Sequence, residues 1–191
     1  MIAIPSCHPK RFYIENAVCF ITTKTHNGFP YFKKEELCKL FIEELRVCKR
    51  IKIFELYDFY LLLDHFHLLL KPNGIYNISK IIQSLKKEFT RDANSLIVGE
   101  ITESRQHEEG GGDNIEVAPP RLQGNKLIIK CNKTHPRFYW QKSFYDHIIR
   151  DEEDLLNHMK YTKYNYQKHN LPNNWQYTSL NYPELLDDIN T

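Results

Sequence analysis

The stretch that most constrains this chain is residues 59–70, Phe-Tyr-Leu-Leu-Leu-Asp-His-Phe-His-Leu-Leu-Leu. A run this apolar and aromatic, broken only by Asp64 and two histidines, reads as strand buried in a core. On a strand, residues i and i+2 point to one face. His65 and His67 therefore aim together, with Phe66 buried behind them. Two imidazoles presented by one rigid strand make half of a divalent-metal site. The plain alternative is a pair of satisfied histidines at the wet end of a core strand.

The 191 residues suffice for one domain with a real core. We therefore expect residues 1–191 to form a single domain, with a flexible loop or insertion at about 104–125 and an irregular tail at about 172–191. No segment approaches the roughly 18 uninterrupted apolar residues of a membrane span. Residues 1–10 lack the charge-then-apolar pattern of a signal peptide, so a cytoplasmic location and no membrane partner are expected. The five cysteines, with no Cys-x-x-Cys pair, read as reduced thiols rather than a zinc cluster. Net charge is only +2, but residues 126–171 carry 9 Lys/Arg against 5 Asp/Glu. That suits a basic groove on a near-neutral protein.

Residues 17–23 are β-branched and aromatic and read as a first strand, ended by Asn27-Gly28 and Pro30. From Lys33 to Arg50 the period becomes helical, with Leu37, Leu40, Phe41, Leu45 and Cys48 on one stripe. Residues 51–57 and 59–63 return to strand character before the histidines. Residues 77–93 form a second helix, with Ile78, Ile81, Ile82, Leu85 and Phe89 inward and Lys80, Ser84, Lys87 and Arg91 outward. That outward face is either solvated or turned to nucleic acid. Gly110-Gly111-Gly112 and Pro119-Pro120 exclude a core element at about 104–125. Residues 126–131 read as a short strand, and residues 138–150 as a strand-like aromatic segment. Four acidic residues, 151–154, then open a last helix expected to run to about His169.

Advancing ~100° per residue along that helix sorts it into two faces. Leu155, Met159, Thr162 and Tyr166 form a core stripe. Asp154, His158, Tyr161, Asn165 and Lys168 form a polar face nearly opposite. Such a face is ordinary by itself. It is complementary, however, to a two-histidine strand that lacks ligands. An amide oxygen at Asn165 can supply a third ligand to a hard divalent ion. A phenol is a poor nucleophile near pH 7, since its free pKa is ~10. Beside an ion that neutralises a phosphate it becomes useful. The chemistry implied is attack of Tyr161 on a phosphodiester, giving a phosphotyrosine.

These residues together resemble the single-tyrosine HUH transposases, especially the REP-associated tyrosine transposases of bacteria. The family's His-hydrophobic-His motif is similar to His65-Phe66-His67, although Leu63-Asp64 stands where a Pro-Asn or Pro-Glu pair is usual. Its aromatic and basic helix resembles residues 84–91. Its Trp-Gln, aromatic, Asp-His and Ile-Arg block resembles Trp140-Gln141, Phe144-Tyr145, Asp146-His147 and Ile149-Arg150. Its nucleophilic tyrosine, followed four residues later by Asn, is similar to Tyr161 and Asn165. The usual Asn-Pro reads Asn165-Tyr166 here, which lets the helix continue.

The resemblance spans roughly residues 11–171. It implies an α+β fold, a ferredoxin-like central antiparallel sheet with packed helices (the HUH endonuclease fold). It implies an enzyme that cleaves and rejoins single-stranded DNA near hairpins through a 5′-phosphotyrosine, acting as monomer or homodimer. The metal it implies is Mg²⁺ or Mn²⁺, held by His65, His67 and Asn165. Tyr161 is then the nucleophile, with Tyr164 its rival. Lys86, Lys87 and Arg91 are candidate DNA contacts, and His158 lies on the site face. Two other readings of the same residues are a hydrolase using a metal-bound water and a domesticated protein that binds hairpin DNA or RNA without cutting it.

Overall fold

The computed structural model describes residues 13–108 and 137–189, apart from 170 and 173. Its strands are β1 (Cys19–Lys24), β2 (Phe54–Leu61), β3 (His65–Pro72) and β4 (Tyr145–Ile148). Its helices are α1 (Glu35–Lys52), α2 (Ile78–Glu108), α3 (Glu152–Lys163) and the single turn α4 (Asn165–Lys168). The strands form one antiparallel sheet in the order β2-β3-β1-β4. With a helix between β1 and β2 and another between β3 and β4, this is the ferredoxin-like α+β topology. Among the described residues no helix is long and apolar enough to cross a membrane.

The sheet is covered on both faces, which explains why β2 and β3 read as continuous apolar runs rather than alternating ones. One face carries Ile21, Phe59, Phe66, Leu68 and Leu70 into a core with Phe41 of α1 and Phe89 of α2. Phe41 sits against Phe32, Phe66 and Phe89 at centroid distances of 4.8–5.8 Å. The other face presents Phe20, Tyr57 and Leu69 to Leu155 and Met159 of α3. The helical stripe read from the sequence is thus the stripe that packs. Three of its members meet the sheet in this way or lie buried, since Thr162 is 2% exposed.

Several boundaries differ from the sequence reading, each for a local reason. The two strand-like segments at 51–57 and 59–63 are one strand, β2, with a register shift between Leu56 and Asp58. α1 takes in residues 51 and 52 and ends where Ile53 adopts the left-handed conformation, φ 49°. α2 runs on to Glu108, into the segment read as a loop from 104. The strand expected at 126–131 and the Gly-rich and Pro-Pro stretches lie outside the described residues. Residues 138–150 give β4 and an isolated bridge between Trp140 and Thr25.

The last helix does not run through to His169. It stops at Lys163, and Tyr164 (φ −101°, ψ 8°) turns the chain before α4. The Thr162 hydroxyl donates to the His158 carbonyl four residues back, 2.9 Å away, a bond that bends helices. Leu171 is buried with Tyr60 and Leu62, which draws the chain back to the sheet. The tail then packs without regular structure. The Trp175 indole donates to the Leu61 carbonyl at 2.6 Å, and Asp187 accepts from the Leu56 amide at 2.7 Å and pairs with Lys49 at 2.8 Å.

Candidate active site

Strand register builds the site. His67 on β3 lies opposite Thr22 on β1, and His65 lies opposite Lys24. Thr22 in turn faces Tyr145 on β4, and Phe20 faces His147. Directly paired residues share a face, so Phe20, Thr22, Lys24, His65 and His67 all look toward α3. They line a cleft of about 690 Å³ together with His158 and Tyr161 of α3, and with Lys168 and His169 beyond the helix break.

Both strand histidines are held by one nitrogen and offer the other. The Nδ1 of His65 lies 2.6 Å from a carboxylate oxygen of Asp64. The Nδ1 of His67 lies 2.8 Å from the Thr22 hydroxyl. With Nδ1 protonated and donating, each Nε2 carries its lone pair. The Nε2 of His67 is buried and has no hydrogen-bond partner. A buried polar atom left unpaired is costly, and a metal ion would satisfy it. Burial pushes the His67 imidazole down to about 2, with His65, His169, Lys24 and Lys168 adding to the effect. Burial also lowers His65, outweighing the opposing pull of Asp64. Both rings are therefore neutral at ordinary pH, as metal ligands must be. The Asp64–His65 bond is the carboxylate–histidine support found behind many metal ligands.

Tyr161 packs beside His67. Its ring meets that of His67 edge-on at 5.4 Å and that of Phe20 at 6.1 Å. Phe20 stacks on His67 at 5.2 Å with 20° between planes, so it is the packed floor that joins strand and helix. The Lys168 ammonium lies 5.3 Å above the Tyr161 ring. Tyr161 is 38% exposed, open enough for its hydroxyl to meet a ligand. Tyr164 is also exposed, but it lies at the helix break and does not line the cleft.

His158 lines the cleft as expected from its helical face. Its ring packs on Phe20 at 4.6 Å, and its Nδ1 lies 2.9 Å from the Asp154 carbonyl. Asp154 also accepts from His147 Nε2 at 2.8 Å and from the Arg150 amide at 3.0 Å. Among the described residues, His147, Asp154 and His158 are the one trio of metal-competent donors already within 4.8 Å of one another. Their hydrogen bonds to one another and to the backbone account for the arrangement, which ties the first turn of α3 to β4.

The three basic candidates of α2 fall elsewhere, and the side chain of Asn165 lies outside the described residues. The backbone of Asn165 opens α4. Lys86, Lys87 and Arg91 belong to α2, on the opposite side of the sheet, and none lines the cleft. Lys86 donates to the Gln141 and Ser143 carbonyls at 2.6 and 3.3 Å. Arg91 pairs with Asp92 at 2.6 Å and with Glu88. Lys87 is 80% exposed at its side chain. The cations lining the cleft are Lys24 and Lys168; the helical spacing places Lys168 on the polar face with Tyr161, whereas nothing local in the sequence singles out Lys24, Phe20, Thr22 or His169 for the site. Lys24 and Thr22 needed the strand register, and His169 needed the break after α3.

A ferredoxin-like sheet thus offers paired histidines from an inner strand, with a tyrosine from the helix laid beside them, the kind of arrangement that the resemblance to the single-tyrosine HUH class implies. The chain is 30% identical over 142 residues to a candidate REP-associated tyrosine transposase of Haemophilus influenzae. That match covers 69% of this chain, which spans 65% of the relative's length. A solved REP-associated tyrosine transposase bound to a REP hairpin has the same fold, with a TM-score of 0.62 at 19% identity over 90% of this chain and 81% of that one. A candidate transposase from Deinococcus radiodurans aligns at a TM-score of 0.46 and 16% identity, over 81% of this chain and 94% of that one. No family model matches the chain. The chain is thus similar in sequence to a REP-associated tyrosine transposase and shares the fold of another.

Proposed function

We propose that this protein cleaves and rejoins single-stranded DNA at hairpin-bearing ends, with Tyr161 as nucleophile and a divalent metal ion at His65 and His67. The observation that carries this reading is the unpaired, buried Nε2 of His67, on a ring that meets that of Tyr161 edge-on at 5.4 Å. The relatives' names support the substrate class. A divalent ion at the two Nε2 atoms, Mg²⁺ or Mn²⁺, would withdraw charge from a bound phosphate.

The chain's own groups do the rest. Lys24 and Lys168 draw the backbone phosphate into the cleft. The Tyr161 oxygen, having lost its proton to solvent, attacks phosphorus. The bond from phosphorus to the 3′ oxygen breaks, and that oxygen leaves as a hydroxyl after taking up a proton. The 5′ side stays joined to Tyr161 through phosphate. A 3′ hydroxyl of a second strand then attacks the same phosphorus and releases the tyrosine, so no outside energy source is needed. Tyr145, 62% exposed at the cleft edge, offers a face on which a base can stack.

The test uses a labelled hairpin oligonucleotide library with a single-stranded flank, in the presence of Mn²⁺ or Mg²⁺. Wild-type protein gives metal-dependent cleavage and a protein–DNA adduct on a denaturing gel. His67→Ala and Tyr161→Phe each lose both. Cleavage that survives Tyr161→Phe without an adduct would instead indicate attack by a metal-bound water.

A further inference from the structure

A phenol with a free pKa of ~10 is almost wholly protonated at neutral pH, so a tyrosine that attacks phosphorus needs a base. His158 stands one turn before Tyr161 on α3, and residues three apart share a helix face. Both rings pack on Phe20, His158 at 4.6 Å and Tyr161 at 6.1 Å, and both line the cleft. His158 is held as an acid–base group is held. Its Nδ1 donates to the Asp154 carbonyl at 2.9 Å and lies 3.1 Å from a carboxylate oxygen of the same residue. With Nδ1 so engaged, the lone pair of the neutral ring sits on Nε2. No hydrogen bond among the described residues occupies that Nε2, and the side chain is 23% exposed. Asp154 is fixed in its turn. It accepts from His147 Nε2 at 2.8 Å and from the Arg150 amide at 3.0 Å. Those bonds, His147 first, hold its carboxyl below the usual range. His147 of β4 also stacks flat on the His158 ring, at 4.6 Å with 19° between planes.

We infer that His158 is the general base for Tyr161, with Asp154 as the residue that positions it. The inference rests on the proposed attack by Tyr161 and names where its proton goes. In cleavage the Nε2 lone pair takes the phenol proton through the water of the cleft, and the imidazolium forms beside the Asp154 carboxylate. The phenolate oxygen bonds phosphorus, and the bond to the 3′ oxygen breaks with its electron pair on that oxygen, which takes a proton from solvent. On rejoining, the incoming 3′ hydroxyl gives its proton to solvent and attacks. The bond from phosphorus to the Tyr161 oxygen breaks, and the imidazolium returns a proton to that oxygen. The other titratable groups lining the cleft are Lys24, Tyr145, Lys168, His65, His67 and His169. The two lysines oppose an imidazolium there, and Asp154 is the anion that offsets them.

Single-turnover formation of the protein–DNA adduct tests this, with protein in excess over the labelled hairpin library and Mn²⁺ saturating. Circular dichroism confirms that His158→Ala and His158→Gln are folded. Both form the adduct roughly 100-fold more slowly than wild type at pH 7. Their rates climb with pH as the phenol ionises unaided, which narrows the gap to wild type. Added imidazole restores His158→Ala but not Tyr161→Phe, and substituted imidazoles of higher pKa restore it further, as a base in the rate-limiting step requires. Adduct formation at the wild-type rate in both variants would overturn the role of His158 and leave Tyr161 standing as the nucleophile. A slowed His158→Ala that no imidazole restores would also overturn it, since the ring would then only brace the helix. A wild-type protein that cleaves without any adduct would overturn the tyrosine reading and this inference with it.

Discussion

At the scale of residues, function follows from how neutral imidazoles are fixed. His65 and His67 are 4% and 3% exposed, and each spends its Nδ1 on a neighbour, Asp64 or Thr22. Removing such a support behind a ligand costs about 10- to 100-fold in metal affinity. Asp64→Ala should therefore weaken Mn²⁺ binding by that factor in calorimetry while the fold persists. An unchanged affinity would show that Asp64 does not orient the ligand. The His-x-His pair was legible because strand period is local: two residues apart means one face. Its partner Thr22 was not, because the pairing joins positions 45 apart in sequence, and no local pattern states which residue of β1 faces which of β3.

At the scale of elements, two junctions decide where the site residues land. α1 ends in Ile53, a β-branched residue held at φ 49° and 52% exposed. An L-residue there is strained by about 1–2 kcal/mol, and glycine is not. After the entropy glycine adds to the unfolded chain, Ile53→Gly should raise stability by about 0.5–1 kcal/mol in urea denaturation.

The second junction joins β2 to α3 and the tail. Asp58 is buried on β2, with Ser179 donating to it and Thr162 beside it. Burial raises its carboxyl to about 6 despite those bonds, against about 3.9 in an unfolded chain. Between these values the folded form holds the extra proton. Its stabilising contribution is thus complete below about pH 4 and is lost as pH rises through 6. Asp58→Asn should flatten that slope and raise stability at pH 8 relative to wild type, by an amount on the order of 2 kcal/mol. A slope unchanged in the variant would assign it to other groups. The amphipathic stripe of α3 was legible, since Leu155 and Met159 pack as their spacing implies. The break at Tyr164 was not, because it arises from a buried threonine and a distant anchor at Leu171 rather than from a helix-breaking residue.

At the scale of the whole molecule, the sheet is an inner layer with a purely structural face and a chemical face. α1 and α2 seal the first around Phe41, which is fully buried. Phe41→Ala should cost about 3–5 kcal/mol of stability in denaturant unfolding. The second face presents His65 and His67 to α3, so in the proposed mechanism the sheet would hold the metal and the helix would supply the nucleophile. The order of strands and helices could be read from the alternation of hydrophobic periods, whereas the antiparallel α+β sheet followed from the family resemblance. Which cations belong to the chemical face could not. Lys86, Lys87 and Arg91 looked close to the histidines along the chain, yet α2 crosses the other side of the sheet. Lys24 and Lys168 reach the cleft from elements far apart in sequence.

The covalent step is tested most directly by locating it. A suicide hairpin substrate, nicked so that the cleaved flank diffuses away, traps the protein after its first attack. Proteolysis and mass spectrometry then find the peptide that carries the nucleotide. We expect a 5′-phosphonucleotide on Tyr161 in wild type and no modified peptide in Tyr161→Phe. The same mass on Tyr164, or cleavage with no modified peptide at all, would contradict the assignment of Tyr161 as the nucleophile beside the paired histidines.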